Sequence, residues 1–267
     1  MKNVYPSLGV LTLFLALISC QKDVSDPVDP VTKCRITTSY YYGGSGMIND
    51  SAVYTYGPDQ KLNRVESEFE YVIYTYTGDK ITMRQYYDKS MNELVRADTI
   101  AYSGNNISSI RSFEFYSNWG IDSLYTQAYF TWQGTRLEKI IYIELAPASY
   151  NTYTTTRVST NAAGNIEKMV FFDEFDFPLD SVTYNHDAQP NYFKAYDPHF
   201  FLVDPFFQMY AGFEPNFALF YSTNNVNKFT IYGMDDYQIT YDLDSSTNVS
   251  GLKLDGADYM RYKYSCQ

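Results

Sequence analysis

A seven-residue pattern that recurs along the chain limits its fold more than any other feature. It stands as TYTGDKI at 75–81, AYSGNNI at 101–107 and TWQGTRL at 131–137. In each copy an aromatic residue precedes a glycine with a polar neighbour, and Ile or Leu follows. Glycine here supplies the positive φ of a tight reversal, and the flanking segments alternate with the period of strands. The pattern therefore predicts a β-hairpin.

Looser copies of the pattern cover most of the chain and align as eight units. Their marker residues are Tyr56, Leu62 and Val65; Tyr76 and Ile81; Tyr102, Ile107 and Ile110; Trp132, Leu137 and Ile140; Asn161, Ile166 and Met169; Tyr184 and Tyr192; Tyr221, Val226 and Phe229; Tyr241, Val249 and Leu252. Repeated hairpins in series form an antiparallel meander. We therefore predict an all-β single domain over 34–267, with about eight hairpin repeats in a curved or barrel-like sheet.

The composition agrees with a packed β domain. Hydrophobic residues make up 45% and charged residues 19% of the chain, which argues against global disorder. Aromatic residues reach 18%, with 29 Tyr, and tyrosine suits strands with one buried and one hydrated face. The net charge of -11 argues against nucleic acid as a partner, because phosphate binding needs a basic surface.

The first residues resemble a bacterial lipoprotein leader. Residues 1–19 combine an early lysine with an apolar stretch too short to span a bilayer, which is typical of a signal peptide. LISC at 17–20 resembles a lipobox and predicts lipidation of Cys20, and Gln21 in place of Asp favours the outer membrane. Residues 20–33, with two Asp-Pro pairs, form a predicted tether that reaches roughly 40 Å when extended at about 3.1 Å per residue. We predict an outer-membrane lipoprotein of the cell envelope, on its periplasmic or surface face.

The tyrosine-rich units resemble those of uncharacterised Bacteroidota lipoproteins, whose repeats have the form Y-x-Y-x-G-x-x-I-x-x-I. One such group is described as having a porin-like fold. The units are also similar, more distantly, to YD (RHS-type) repeats, but the G-R and Y-D pairs are absent, which argues against a toxin shell. The resemblance covers about residues 50–255 and implies a large, curved or closed antiparallel sheet without an assigned activity. Thr and Tyr stand where a lipid-facing strand needs Leu and Val, which argues against a membrane-embedded barrel.

Signatures of catalysis and of metal binding are missing from the sequence. The chain has two histidines, and no zinc-protease, nucleophile-elbow or phosphate-loop motif occurs. Segment 242–248 begins like a calcium loop, but Thr247 and Lys253 stand where such a loop needs glycine and glutamate. The carboxylates of FFDEFDF at 171–177 are interpreted as an acidic turn rather than a glycosidase pair. We therefore expect no enzymatic activity, no metal and no cofactor.

Two cysteines remain after the lipidation site. Cys34 directly follows the tether, and Cys266 lies one residue from the end of the sequence. In an oxidising envelope such residues can pair, and a bridge would tie the ends of the sheet together. The alternative is two unrelated thiols.

Four tripeptides of Asp, then Ser or Thr, then an apolar residue resemble O-glycosylation sequons of Bacteroidota envelope proteins. Their hydroxyl residues are Ser51, Thr99, Ser123 and Ser181. The alternative is structural, because three of the four Asp residues precede a strand tyrosine by four residues and can simply start a repeat strand.

An aromatic insert over residues 192–220 interrupts the repeat once. Asp-Pro at 204–205 predicts a short helix over 204–211. Because a soluble monomer tolerates few exposed aromatic side chains, the insert is interpreted as a plug of the curved sheet, or as a segment partly exposed to a ligand or partner. The candidate residues for either role are Phe200, Phe201, Phe206, Phe207, Tyr210 and Phe213.

These observations favour a non-enzymatic binding or scaffold module at the outer membrane. The alternative is a glycan-binding accessory lipoprotein whose exposed aromatic side chains stack on sugars. An exposed row of repeat aromatics would favour glycan binding, and a buried row would favour a scaffold. The expected partners are the membrane, through the lipid anchor, and a glycan or an envelope protein.

Replacing Cys20 with Ala tests the predicted anchor. We expect the variant to lose metabolic acyl labelling and to leave the membrane fraction, because a lipid on this cysteine is the only anchor that the sequence predicts. A variant that stays labelled and membrane-bound would show that the anchor is elsewhere.

Overall fold

Sixteen β-strands follow one another along the described part of the chain. The computed structural model describes residues 34–42, 46–116, 121–145, 151–193, 202–203 and 217–266, without the side chains of 116, 121–125 and 151–152. The strands are β1 Cys34–Tyr41, β2 Asp50–Tyr56, β3 Leu62–Glu66, β4 Glu70–Thr77, β5 Lys80–Asp88, β6 Glu93–Ser103, β7 Asn106–Tyr116, β8 Ile121–Gln133, β9 Arg136–Leu145, β10 Asn151–Thr160, β11 Ile166–Phe172, β12 Pro178–Pro190, β13 Asn224–Ile231, β14 Asp236–Leu243, β15 Val249–Leu254 and β16 Ala257–Cys266. A short helix, α1 Phe217–Tyr221, precedes β13. No helix within these ranges is both long and apolar enough to cross a membrane.

The strands form a closed antiparallel barrel. Each strand pairs with its neighbours along the chain, and β16 lies beside β1, so the order around the sheet has no crossover. The predicted all-β meander is confirmed, since sixteen strands make eight hairpins, and the sheet that was expected to be curved or barrel-like is closed. The predicted signal peptide (1–19) and tether (20–33) lie outside the described residues.

The two-residue turns of the repeat have the backbone that their glycines predict. Gly78, Gly104 and Gly134 open the β4–β5, β6–β7 and β8–β9 turns with φ of 60, 59 and 62°. Glycine at the first position is the signature of a type II′ turn, whose twist matches that of the flanking strands. A Cβ at any of the three would meet nothing within 4 Å, so the backbone angle rather than crowding favours glycine.

One hairpin differs from the predicted alignment. The units marked by Tyr184 and by Tyr221 are not separate repeats, because β12 pairs directly with β13, with Tyr184 opposite Phe229. The insert is the connection inside this one hairpin, and Tyr221 ends α1 rather than a strand. The alignment failed here because the insert has its own tyrosines at repeat-like spacing. Seven of the eight strand pairs that meet at the repeat end are therefore hairpins, and the eighth pair is β16 with β1, which closes the barrel.

The two ends of the barrel collect different turns, because antiparallel strands place successive turns at alternate ends. The repeat end holds the turns β2–β3, β4–β5, β6–β7, β8–β9, β10–β11 and β14–β15, together with the insert and the start of β1. The other end, which we call the rim, holds the turns β1–β2, β3–β4, β5–β6, β11–β12, β13–β14 and β15–β16. The β7–β8 and β9–β10 turns, also at the rim, comprise residues outside the described ranges.

Apolar side chains point into the barrel, and mostly polar ones point out. In β2, Ala52 and Tyr54 are 0% and 5% exposed, whereas Val53 between them is 53% exposed. The inward side chains form one core that includes residues of the insert. A barrel that spans a membrane has the opposite pattern, an apolar outer belt around a polar interior, and the described strands show no such belt.

An aromatic side chain bridges the gap between consecutive hairpins at the repeat end. The backbone register between β5 and β6 ends at Met83 opposite Thr99, short of the repeat end. Beyond it, the Tyr102 hydroxyl donates to the Ile81 carbonyl at 2.9 Å. The bond recurs from Tyr56 to Ile36, from the Trp132 indole to Ile107, from Tyr241 to Val226 and from Tyr264 to Val249, at 2.9, 2.7, 2.8 and 2.7 Å. The repeat aromatic therefore supplies a hydrogen bond where the ladder has stopped.

Burial raises the pKa of two of these tyrosine donors. Desolvation raises the pKa of Tyr56 to about 12, against an opposing effect of Arg35. Burial likewise raises the pKa of Tyr241. The repeat aromatics are thus buried or half-buried, and they do not form an exposed row.

A polar side chain next to the apolar repeat residue strengthens the same joint, which the sequence analysis missed. Lys80, directly before Ile81, donates to the Gly104 carbonyl of the next turn and lies 5.1 Å from the Tyr102 ring centroid, a cation–π contact. Equivalent bonds join Lys61 to Gly78, Asn106 to Gly134 and Arg136 to Ala162. The sequence does contain a signal for these bonds, since Lys, Asn or Arg stands directly before the final Leu or Ile in DQKL, GDKI, GNNI and GTRL.

Replacing Tyr102 with Phe keeps the ring and removes the hydroxyl that bonds the Ile81 carbonyl. We expect the free energy of unfolding to fall by about 1 kcal/mol, because a buried carbonyl loses its donor. Urea denaturation measures the change. Tyr232→Phe is the matched control, since Tyr232 is 79% exposed, and it should leave the midpoint unchanged. Equal stability of both variants would contradict the bridging role.

Candidate functional site: an apolar rim at one end of the barrel

A buried ion cluster on β5 and β6 occupies part of the barrel interior. Arg84 Nη2 lies 2.6 Å from Asp98 Oδ2, with side chains 7% and 2% exposed. Arg96 Nε lies 3.5 Å from Asp98 Oδ1, and the Tyr86 hydroxyl donates to Asp98 Oδ2 at 3.1 Å. Burial raises the pKa of Tyr86 to about 12, so its hydroxyl stays a donor. Asp98 Oδ2 therefore has two partners, whereas Oδ1 has only the longer ion pair with Arg96 and no hydrogen bond.

The same cluster holds described residues of the insert inside the barrel. Arg84 Nη1 donates to the Leu202 carbonyl at 3.2 Å, and the Tyr74 hydroxyl donates to the Val203 carbonyl at 3.0 Å. Leu202 is 1% exposed. Residues 217–220 of α1 are also buried. The cluster therefore fastens the insert and does not present a reactive group.

The candidate residues named for the insert fall outside the described part of the chain. They are Phe200, Phe201, Phe206, Phe207, Tyr210 and Phe213, together with the predicted helix over 204–211. The described residues at 193, 202 and 217–220 are buried in the core, as a plug requires. For the six named aromatics, the choice between plug and ligand segment stays a prediction.

A serine–histidine pair at the repeat end combines a half-buried histidine with a fully buried serine. His186 Nε2 is 3.1 Å from Ser222 Oγ, which also accepts the Ile166 N–H at 3.1 Å. Burial lowers the pKa of His186 and favours the neutral ring. Such a pair can form a nucleophilic site, but Ser222 is 0% exposed. Its role is to tie α1 to the barrel.

Two cavities are lined by residues that the structure describes. The larger has about 190 Å³ and lies at the repeat end, where Arg136, Thr160 and Tyr221 are among its lining residues. Ligand pockets usually have about 300–1,000 Å³. Among the described residues, no group of three or more His, Cys, Asp or Glu could hold a metal ion.

Large apolar side chains are exposed in most of the described rim turns. The eight in these turns are 54–79% exposed: Met47, Ile48, Phe69, Met91, Phe175, Phe177, Tyr232 and Met234. Leu179, near the rim on β12, is 52% exposed. The described repeat-end turns contain no side chain of this kind. Single exposed apolar residues are ordinary, but their concentration at one end of the barrel is not.

Backbone hydrogen bonds hold neighbouring rim turns together. The Phe69 carbonyl accepts the Lys89 N–H at 2.9 Å, which joins the β3–β4 and β5–β6 turns. The Tyr232 N–H donates to the Ser181 carbonyl at 2.8 Å, which joins the β13–β14 turn to β12. The exposed side chains of Phe69 and Met91 are therefore carried on two connected turns, and that of Tyr232 on a turn bonded to the neighbouring strand.

Carboxylates are interleaved with the apolar side chains of the rim. The charged residues of the described rim turns are Glu68, Asp173, Glu174, Asp176, Asp235 and Asp255 against Lys89. Lys89 is itself paired, with its Nζ 2.9 Å from Glu66 Oε1. The rim is thus both apolar and acidic. The rim was not predicted from the sequence, although SEF, KSMN, DEFDF and YGMD place Phe or Met in four of its turns.

Three of the four predicted glycosylation residues have described side chains. Ser51, Thr99 and Ser181 are partly exposed and stand next to buried inward residues of their strands. The Ser51 and Ser181 N–H groups donate to the preceding Asp side chains at 2.7 and 2.6 Å, and Asp98 joins the ion cluster. The Ser123 side chain lies outside the described residues. These Asp residues have structural roles, and modification of the hydroxyls stays a prediction.

Both predicted disulfide cysteines are oxidised. Cys34 and Cys266 are disulfide-bonded in the structure. Their pairing with each other stays a prediction, and so does lipidation of Cys20, which lies outside the described residues.

Comparison with known proteins leaves the family of this chain open. No protein-family model and no curated protein matches it. A porin-like protein from Bacteroides vulgatus is 14% identical with a TM-score of 0.47, over 86% of this chain and 98% of that one. One from Bacteroides uniformis is 10% identical with a TM-score of 0.36, over 87% and 96%. The Photorhabdus luminescens Tc holotoxin pore is 12% identical with a TM-score of 0.37, over 77% and 12%. At these values the likenesses assign neither a family nor an activity.

Asp98→Asn removes the charge between Arg84 and Arg96 without changing the size of the side chain. We expect a loss of roughly 3–5 kcal/mol in the free energy of unfolding, because the buried cation Arg84 and the half-buried cation Arg96 lose their counterion. Urea denaturation measures this loss. Asp236→Asn is the control, since the Lys228–Asp236 pair has a carboxylate 49% exposed and surface pairs contribute little. Equal effects of the two substitutions would show that the cluster does not stabilise the interior.

Proposed function

We propose that this chain is a non-enzymatic interaction module of the bacterial cell envelope, held at the outer membrane by a lipid on Cys20. The observation that supports this most is the apolar, acidic rim on a barrel whose interior is packed. The buried polar groups at Arg84, Asp98 and His186 are bonded to the fold itself. Binding, rather than chemistry on an enclosed substrate, is the function that such a surface supports.

The repeat aromatics favour a scaffold over a glycan-binding protein. A sugar-stacking face needs exposed rings, whereas Tyr56, Tyr102 and Trp132 use their polar atoms on backbone carbonyls. Their rings fill the gaps between hairpins at the repeat end. The repeat is therefore assigned to architecture, and the partner is assigned to a different part of the surface.

The position of β1 suits this function. β1 begins with Cys34 at the repeat end, so the rim lies at the opposite end of the strands from the first residue after the predicted tether. The rim is then available to a partner in the envelope.

Native electrophoresis of envelope membranes solubilised in a mild detergent tests the proposal. The full-length lipidated chain should migrate in a discrete complex heavier than the lipidated monomer, because an interaction module has a partner in its own compartment. Purified chain in the same detergent provides the monomer reference. Migration as a monomer in every envelope fraction would contradict the proposal.

A further inference from the structure

We infer that the rim binds a protein surface on which apolar side chains are flanked by lysine and arginine. The inference rests on the proposed function and names its binding surface and the chemistry of its partner.

The apolar side chains of the rim are largely exposed to solvent. Phe69, Phe175 and Phe177 are 70%, 71% and 66% exposed, although turns normally consist of small and polar residues. Exposed apolar clusters on a soluble surface usually mark an interaction site. The repeat-end turns of the same barrel show that this chain can build its turns without such residues.

Side-chain hydrogen bonds brace the backbone of two rim turns. Asp173 Oδ1 accepts the N–H groups of Phe175 and Phe177 at 3.0 and 2.8 Å. Asp88 Oδ1 accepts the Met91 N–H at 3.0 Å in the β5–β6 turn. Each carboxylate therefore fixes the backbone that carries an exposed apolar side chain. A surface ordered before binding loses less entropy when a partner docks.

The charge of the rim selects the class of partner. Glu68, Glu174 and Asp235 stand beside the exposed apolar side chains in three different turns. A partner with Lys or Arg around an apolar centre complements this pattern, and the opposite charges speed encounter and fix orientation. An anionic bilayer and a second copy of this acidic rim are both disfavoured by like-charge repulsion.

A binding assay with a defined probe tests the inference. The probe is a fluorescently labelled synthetic amphipathic helix of Leu and Lys, titrated with the full-length chain and followed by anisotropy. We expect saturable binding that weakens with salt, and a dissociation constant raised about tenfold or more in the double variant Phe175→Ser with Phe177→Ser, since a few central aromatic residues dominate interfaces. Glu174→Gln with Asp235→Asn should also weaken binding and flatten its salt dependence.

Matched controls distinguish binding by the rim from non-specific attraction of a cationic probe to the negative net charge of the chain. Val53→Ser with Leu243→Ser removes two exposed apolar side chains away from the rim and should bind the probe like the unaltered chain. A Leu and Glu helix should not bind. Urea denaturation confirms that every variant is folded, which is expected because the altered side chains are exposed.

Three outcomes would overturn the inference. They are equal binding by the rim and control variants, rim-dependent binding to phosphatidylethanolamine–phosphatidylglycerol vesicles without binding to the Leu and Lys helix, and rim-dependent self-association in analytical ultracentrifugation. If any of these is found while the native complex persists, the inference fails and the proposed function stands. Loss of the native complex contradicts the proposed function independently of the probe.

Discussion

Consecutive hairpins of this barrel separate at the repeat end, and an aromatic donor joins them there. The backbone register between β7 and β8 ends at Ser109 opposite Tyr129. Beyond that point the Trp132 indole reaches the Ile107 carbonyl, as tyrosine hydroxyls do at four other joints. A carbonyl left without a partner beside a packed core would be costly. The aromatic of the repeat thus lets the sheet splay at one end while its backbone stays satisfied, and a sheet that splays can curve until its edges meet.

The sequence predicts the local geometry of this architecture and leaves its closure open. Gly78 and Gly104 identify the turns, and the alternation around Tyr54 identifies the inward face. Closure depends on curvature summed over sixteen strands, and no single residue encodes that sum. The sequence also did not separate the tyrosines of the insert from those of the repeat, because Tyr192 and Tyr221 have the right spacing in the wrong structure.

The binding surface was harder to predict than the fold because it is assembled from distant turns. Phe69 and Phe175 lie at the same end of the barrel because an even number of strands, β4 to β11, separates their turns. Asp98 is similarly ambiguous in sequence, since an inward position in β6 becomes informative only when Arg84 is known to face it. In both cases the sequence shows the residue but does not show which distant residues lie beside it in the fold.

The disposition of the strands has a consequence for how such a chain can lengthen or shorten. A meander closes with its first and last strands antiparallel only when the number of strands is even. Addition or loss of one whole repeat changes the count by two and preserves this parity. It also adds or removes one turn at each end, so the rim turns and the repeat-end turns stay at their own ends of the barrel. A gain or loss of a single strand would instead place the closing strands parallel and exchange the ends of every later turn. Duplication of the hairpin unit is therefore the step by which this barrel can change its girth and keep both of its surfaces.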